Sequence, residues 1–228
     1  MCIVVDDLST DDSFKIAQIY AKRDPEHFVA IQLEKKGYAG AARNNGLDYP
    51  IESDYLIFLD SDDWICQNNS FEKLHNKIIT DKFPDIVRCS YLFSGRQIKE
   101  TNNPDIFVIY GAAPWKNVVK SKYSWIRFKE NRSKCNDVIW FMRLVDSIDF
   151  SKISIMNDVP LVFYNTKSVT SCWYGKEKNS KNNDDAIRLL LEDLRKEKYK
   201  TSICNRYKDI EFKKYKNYDT YHRKTHDR

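Results

Sequence analysis

The sequence predicts an α/β fold: a mostly parallel central sheet flanked by helices, then an irregular half, then a C-terminal helix with a basic tail. Three observations predict it. Short apolar runs at Cys2–Val5, Phe28–Leu33, Tyr55–Leu59 and Ile86–Phe93 alternate with segments of helical periodicity. That alternation is lost after Gly95. From Arg195 onward, 12 Lys and Arg stand against 5 Asp and Glu, so the tail holds the basicity of a chain whose net charge is +5.

Taken in order, Cys2–Val5 is rich in β-branched residues and reads as a buried strand ending in Asp6-Asp7. Ser9, Thr10 and Asp11 are N-cap candidates for a helix whose apolar positions are Phe14, Ile16, Ala17, Ile19 and Tyr20. Phe28–Leu33 is the next strand. Gly37–Gly40 is a loop, and Ala41–Asn45 opens a short helix stopped by Gly46 and Pro50. Tyr55–Leu59 is a strand, Phe71–Ile79 a helix and Ile86–Phe93 one further strand. Residues 96–170 read as hairpin and short helical pieces around one amphipathic helix, Asp137–Val145, and a C-terminal helix begins at Asn183 after a linker at Lys176–Asp185. The predicted organisation is a domain over 1–175, divided into halves 1–95 and 96–175, followed by the helix and tail over 183–228.

Composition excludes several classes. Hydrophobic residues at 42% and charged residues at 31% argue against disorder, and the apolar runs are far too short to cross a bilayer. Met1–Asp6 has no basic start and turns acidic at once, unlike a secretory leader. The six cysteines show no CxxC pair or zinc-ligand spacing, and read as free thiols in a reducing cytoplasm. In the tail, basic residues alternate with Tyr199, Tyr207, Phe212, Tyr215, Tyr218 and Tyr221. Such interleaving suits a phosphate backbone with stacked bases, an anionic membrane surface, or a plain solvated helix.

The chemistry is concentrated in Asp60-Ser61-Asp62-Asp63, three carboxylates delivered by the strand Tyr55–Leu59. Carboxylate oxygens suit Mg²⁺ or Mn²⁺, and Mg²⁺ is usually held by one or two carboxylates together with substrate phosphates. Asp and Ser are also ordinary turn formers after a strand. Ligands of open α/β sheets bind beyond the carboxyl ends of the strands, which predicts that Asp6-Asp7 and Asp60–Asp63 meet in one cleft.

At this point three blocks, in order, resemble the family 2 glycosyltransferases, nucleotide-sugar-dependent enzymes of the GT-A fold. They are Ile3–Ser13 with its Val-Asp-Asp, Gly37–Leu47 with Ala-Arg-Asn, and Phe58–Ile65 with Asp-Ser-Asp-Asp. The resemblance implies that Asp7 contacts the nucleotide base, that Arg43 lies near the nucleotide, and that Asp60 and Asp62 hold ribose and an Mn²⁺ or Mg²⁺ on the diphosphate. A fourth block, Cys135–Phe141, resembles the motif whose aspartate is the general base of an inverting transfer. Asp137 occupies that place, with Asn136 where the family has Glu. Trp115 resembles an acceptor-side Trp, although Asn117 stands where Lys is usual, and Trp115 could equally be a core aromatic. Tyr164-Asn165 stands where Tyr-Arg is frequent.

The resemblance also implies a strand and helix before Ile3, whose absence would leave an open seam in the sheet unless a second chain supplies it. The implied partners are a nucleotide-diphosphate sugar, UDP-linked by preference, and a saccharide or lipid-linked acceptor, with a cytoplasmic location peripheral to the inner membrane face. Two alternatives stand beside this: transfer to hydroxymethylated bases of viral DNA, and an inactive truncated transferase fold used as a binding module.

Overall fold

The computed structural model describes residues 1–50, 52–101, 103, 112–132, 134–165 and 180–214. The calls on Tyr215, Tyr218, Tyr221, Cys172 and the first part of the expected linker lie outside these residues. The chain begins β1 (Cys2–Asp6), α1 (Ser13–Arg23), β2 (Phe28–Gln32), α2 (Tyr38–Asp48), β3 (Tyr55–Leu56), β4 (Trp64–Ile65) and α3 (Ser70–Thr80). It continues β5 (Ile86–Cys89), β6 (Tyr91–Phe93), β7 (Arg96–Ile98), β8 (Asn117–Lys120), α4 (Asn136–Ser147), β9 (Ile153–Met156), β10 (Val162–Tyr164), α5 (Ser180–Lys196) and α6 (Ser202–Lys214).

The α/β class is as the sequence predicts, but the strands form mixed rather than mostly parallel sheets. Among the described residues β1 pairs only with β2, in parallel. A second sheet has the order β3-β8-β5-β9, in which β5 runs parallel to β9 and antiparallel to β8. The third has the order β4-β10-β6-β7, and the β6-β7 hairpin takes its first strand from the run expected as a single strand, before the span 96–170 in which hairpins are expected.

The run Ile86–Phe93 is two strands, and Ser90 is the reason. Its N–H donates to Met156 O at 2.9 Å and its carbonyl accepts from Leu161 N at 2.8 Å, so the backbone leaves the sheet of β5 and enters that of β6. Its hydroxyl donates to Val159 O at 3.2 Å and accepts from Gln97 Nε2 at 2.9 Å. The strand Tyr55–Leu59 is likewise shortened to Tyr55–Leu56.

The core lies on both faces of the β5 sheet. Ile86 and Val119 face a cluster built by Ile139, Trp140, Phe141, Leu144 and Val145 of α4 with Leu190 and Leu194 of α5. Val87, Cys89 and Val118 face the other way, onto Leu74 and Ile78 of α3. Leu74 and Ile78, four residues apart, form the buried stripe of an amphipathic helix. A buried side chain of this size contributes roughly 1.5–3 kcal/mol, so α4, with seven buried residues, is the best-anchored helix.

The C-terminal region is part of this core. The helix starts at Ser180, inside the span expected as linker, and Tyr199 and Tyr207 are buried while Phe212 packs against the same cluster. Asp146 on α4 accepts backbone N–H groups of Lys200 and Thr201 at 2.9 and 2.8 Å, fixing the entry to α6. Arg132 and Lys129 pair with Asp193 at 2.6 and 3.2 Å, and Arg143 with Glu197 at 2.5 Å, tying α5 to α4 and to the loop before it. The aromatic alternation through Phe212 is therefore a packing stripe rather than an exposed stacking surface.

Among the described residues no helix is long and apolar enough to cross a membrane. Cys2, Cys66, Cys89 and Cys204 are free thiols, as expected.

Candidate active site

The site is organised by α2, which packs against both β1 and α4. Asp7, just after β1, accepts from Gly37 N at 2.7 Å and Tyr38 N at 2.9 Å. Its two carboxylate oxygens thus satisfy otherwise orphaned donors at the start of α2, where the helix dipole favours negative charge. Asp6 is buried and accepts from Ser9 N and Gln32 Nε2, both at 3.0 Å. Burial works against its ionisation, but these hydrogen bonds outweigh burial and hold its carboxyl below the usual range.

Arg43 is the centre of the arrangement. Its Nη2 donates to Asp60 Oδ1 at 2.5 Å, its Nη1 donates to Asn136 Oδ1 at 2.8 Å, and its guanidinium lies 5.2 Å from the centre of the Phe128 ring. The acidic loop and the first turn of α4, which carries Asp137, are therefore joined across one side chain. Gly40 makes this possible: a Cβ there would come within 2.0 Å of Lys129 O and 3.4 Å of Asn136 Cβ. Asn44 locks the same approach, accepting from Phe128 N at 2.9 Å and donating to Phe128 O at 3.0 Å. Phe128 stacks on Trp140, with Phe58 edge-on to both.

Asp137 is partly buried on the first turn of α4. Burial raises its carboxyl above the ordinary range, Arg43 opposes that rise, and Asp60 adds to it, which places all three in one electrostatic neighbourhood. Asp63 is buried, with Oδ1 accepting from Asn165 N at 2.9 Å. Among the described residues its other oxygen has no hydrogen-bond partner. Burial, then the charges of Asp60 and Asp62, push its carboxyl up to about 6 against the one opposing bond from Asn165.

A cation fits this loop. A buried carboxylate oxygen without a donor, in a run of three negative side chains, marks negative charge that the described protein groups do not compensate. Among the described residues no three His, Cys, Asp or Glu side chains form a complete cage. A cation completed by substrate phosphates does not require one.

Of the residues predicted from sequence, Arg43, Asp60 and Asp137 come together. Asp62, partly buried, lies on the same loop, and Asp7 lies roughly 8 Å of helix from Arg43 at 1.5 Å per residue. No hydrogen bond or ion pair among the described residues joins the Asp6-Asp7 loop directly to Asp60–Asp63; α2 mediates between them. Trp115 is a core residue, with Tyr91 edge-on at 4.8 Å and Tyr164 stacked at 5.3 Å. Any effect it has on an acceptor passes through the wall it supports. Sequence reasoning missed Asp63 as a tie to Asn165, and Phe128 as the ring beneath Arg43. It also missed Trp64, half exposed beside the acidic loop and stacked 4.2 Å from Phe163. Only Asp63 had a local signal, its place in the acidic run.

The fold and the acidic loop define a GT-A type glycosyltransferase scaffold. Residues 1–144 match the model of glycosyl transferase family 2, and the chain belongs to that family. EpsH of Bacillus subtilis (strain 168), described as a glycosyltransferase, is 32% identical over 121 residues, covering 53% of this chain and 33% of EpsH. TuaG of the same organism, whose name assigns it to teichuronic acid biosynthesis, is 44% identical over 61 residues, 27% of this chain and 23% of TuaG. The crystal structure of S. aureus TarS 1-349 shares the fold at a TM-score of 0.66 and 19% identity, covering 95% of this chain and 61% of that one. The chain thus spans about a third of EpsH and under a quarter of TuaG.

Proposed function

We propose that this chain moves a sugar from a nucleotide-diphosphate donor, UDP-linked by preference, to an acceptor hydroxyl with inversion at the anomeric carbon. The observation that carries the reading is the junction at Arg43, which joins the acidic loop to the turn bearing Asp137. Asp137 takes the proton of the attacking hydroxyl. Its raised carboxyl moves in the direction a base working near neutral pH requires, and a positioned base contributes about 10²- to 10⁴-fold. Asp62 and Asp60 would hold Mn²⁺ or Mg²⁺, which when bound neutralises charge developing on the leaving diphosphate. Arg43 sets the acidic loop, and Asp7 sets the start of α2 beside the base-binding side.

The acceptor class is a cell-surface glycan or lipid-linked saccharide, and the name of TuaG, which refers to teichuronic acid biosynthesis, supports a saccharide acceptor. The viral-DNA alternative drew on tail aromatics, and Tyr199, Tyr207 and Phe212 are committed to the core. Peripheral attachment at the inner membrane face would use the basic side chains of the tail, of which Lys196, Lys198, Lys200 and Arg206 are exposed.

The test is release of nucleoside diphosphate from a panel of UDP-, GDP- and dTDP-sugars with Mn²⁺ or Mg²⁺. Asp62→Asn should remove metal-dependent donor binding. Asp137→Asn should keep donor binding and lower transfer at least 100-fold. Equal transfer by wild type and Asp137→Asn would sink the base assignment, and absence of both turnover and donor binding in wild type would favour the binding-module reading.

A further inference from the structure

Arg43 has two anchors of different charge. Asp60 is a carboxylate on the acidic loop, and Asn136 is a neutral amide at the first position of α4. The Arg43 side chain is only 12% exposed and its guanidinium lies against Phe128, so it has little freedom to swing elsewhere. A cation taken up at Asp60 would draw on the same carboxylate that Arg43 holds at 2.5 Å. The strength with which Arg43 holds Asp60 therefore sets part of the affinity of the loop for a cation.

We infer that Asn136 is a positioning residue: by taking one arm of the Arg43 fork onto α4, it limits how tightly Arg43 holds Asp60, and so tunes cation uptake by the acidic loop. A neutral acceptor takes part of the fork's hydrogen bonding without neutralising its charge, whereas a carboxylate does both. Removing the acceptor leaves Asp60 as the principal anchor. Replacing it with a carboxylate divides the guanidinium between two anions. The inference rests on the proposed reading in one respect, that Asp60 is a cation-side carboxylate.

The experiment is Mn²⁺ binding to the full chain by electron paramagnetic resonance, without donor or acceptor. It compares Asn136→Ala and Asn136→Asp, each alone and combined with Arg43→Ala. Asn136→Ala should weaken Mn²⁺ binding about three- to tenfold and the near-isosteric Asn136→Asp should strengthen it by a similar factor. Both shifts should shrink below twofold in the Arg43→Ala background, because a double-mutant cycle isolates the part that passes through Arg43. A through-space effect of the new charge would survive loss of Arg43, as would a general loosening of the fold. Persistence of the shifts in that background, or no shift in folded Asn136→Ala, overturns the inference.

Should the wild type take up no Mn²⁺, the cation reading itself falls. The positioning role is then read from the ¹⁵N guanidinium resonances of Arg43 in the metal-free chain. Separate, slowly exchanging Nη signals in wild type that average in Asn136→Ala support it; identical spectra overturn it.

Discussion

The β1–α1–β2 region and the region around α4 are built on opposite principles. α1 buries none of its eleven residues, β1 and β2 pair only with each other among the described residues, and Ile16, Ile19 and Tyr20 are more than half exposed. In α4 seven of twelve residues are buried, and β5 is buried at every position. A two-stranded sheet is marginal unless something packs on it. Asp7 and the start of α2 therefore stand on thin support, whereas Asp137 rises from the densest part of the molecule. Stability is concentrated on the α4 side of the site, and local opening is expected first on the β1–α1–β2 side.

The most severe way to break this contrast is Leu144→Ala, which empties a fully buried position on α4. A loss of about 2–5 kcal/mol is expected, read from urea unfolding.

A smaller effect sits in the acidic loop. Asp63 has a folded-state pKa of about 6, above the unfolded value of about 3.9. Between these values the folded state binds more protons than the unfolded one. Stability is therefore lost as pH rises from about 4 to about 6, and stays lower above that range. Asp63→Asn should remove this penalty, becoming more stable than wild type by about 3 kcal/mol at pH 7.5 and by little at pH 4 in metal-free buffer. Melting curves at the two pH values check it, and a constant difference would refute the assignment.

The smallest effect belongs to α1. Ile19→Ser, at a position 63% exposed, should change stability by no more than about 0.5 kcal/mol. A loss near that of Leu144→Ala would show that something covers this helix in solution and would dissolve the contrast.

How much could be read in advance follows from where each signal lies. The acidic run and the helix at Asp137–Val145 are local patterns, so sequence alone placed them. The division at Ser90 carries no Gly, Pro or turn pair; it is decided by bonds to Met156 and Leu161, more than sixty residues away. The Arg43–Asn136 bond depends on Gly40 admitting the loop at Lys129, a contact between distant segments. Tyr199, Tyr207 and Phe212 were ambiguous because a core stripe and a stacking surface use the same rings at the same spacing. Only the position of the partner helix separates the two.

Ser90 also bears on how the molecule comes apart. It is fully buried, and its backbone and hydroxyl link the chain leaving β5 to the segments flanking β9 and β10. Cys66, just after the acidic loop and β4, donates to the carbonyl of Leu161, the same residue whose amide is held by Ser90. The two larger sheets are therefore expected to open as one unit. The amides of Ser90, Leu161 and Cys66 would lose protection from solvent exchange in a single event, while those of α1 fray independently.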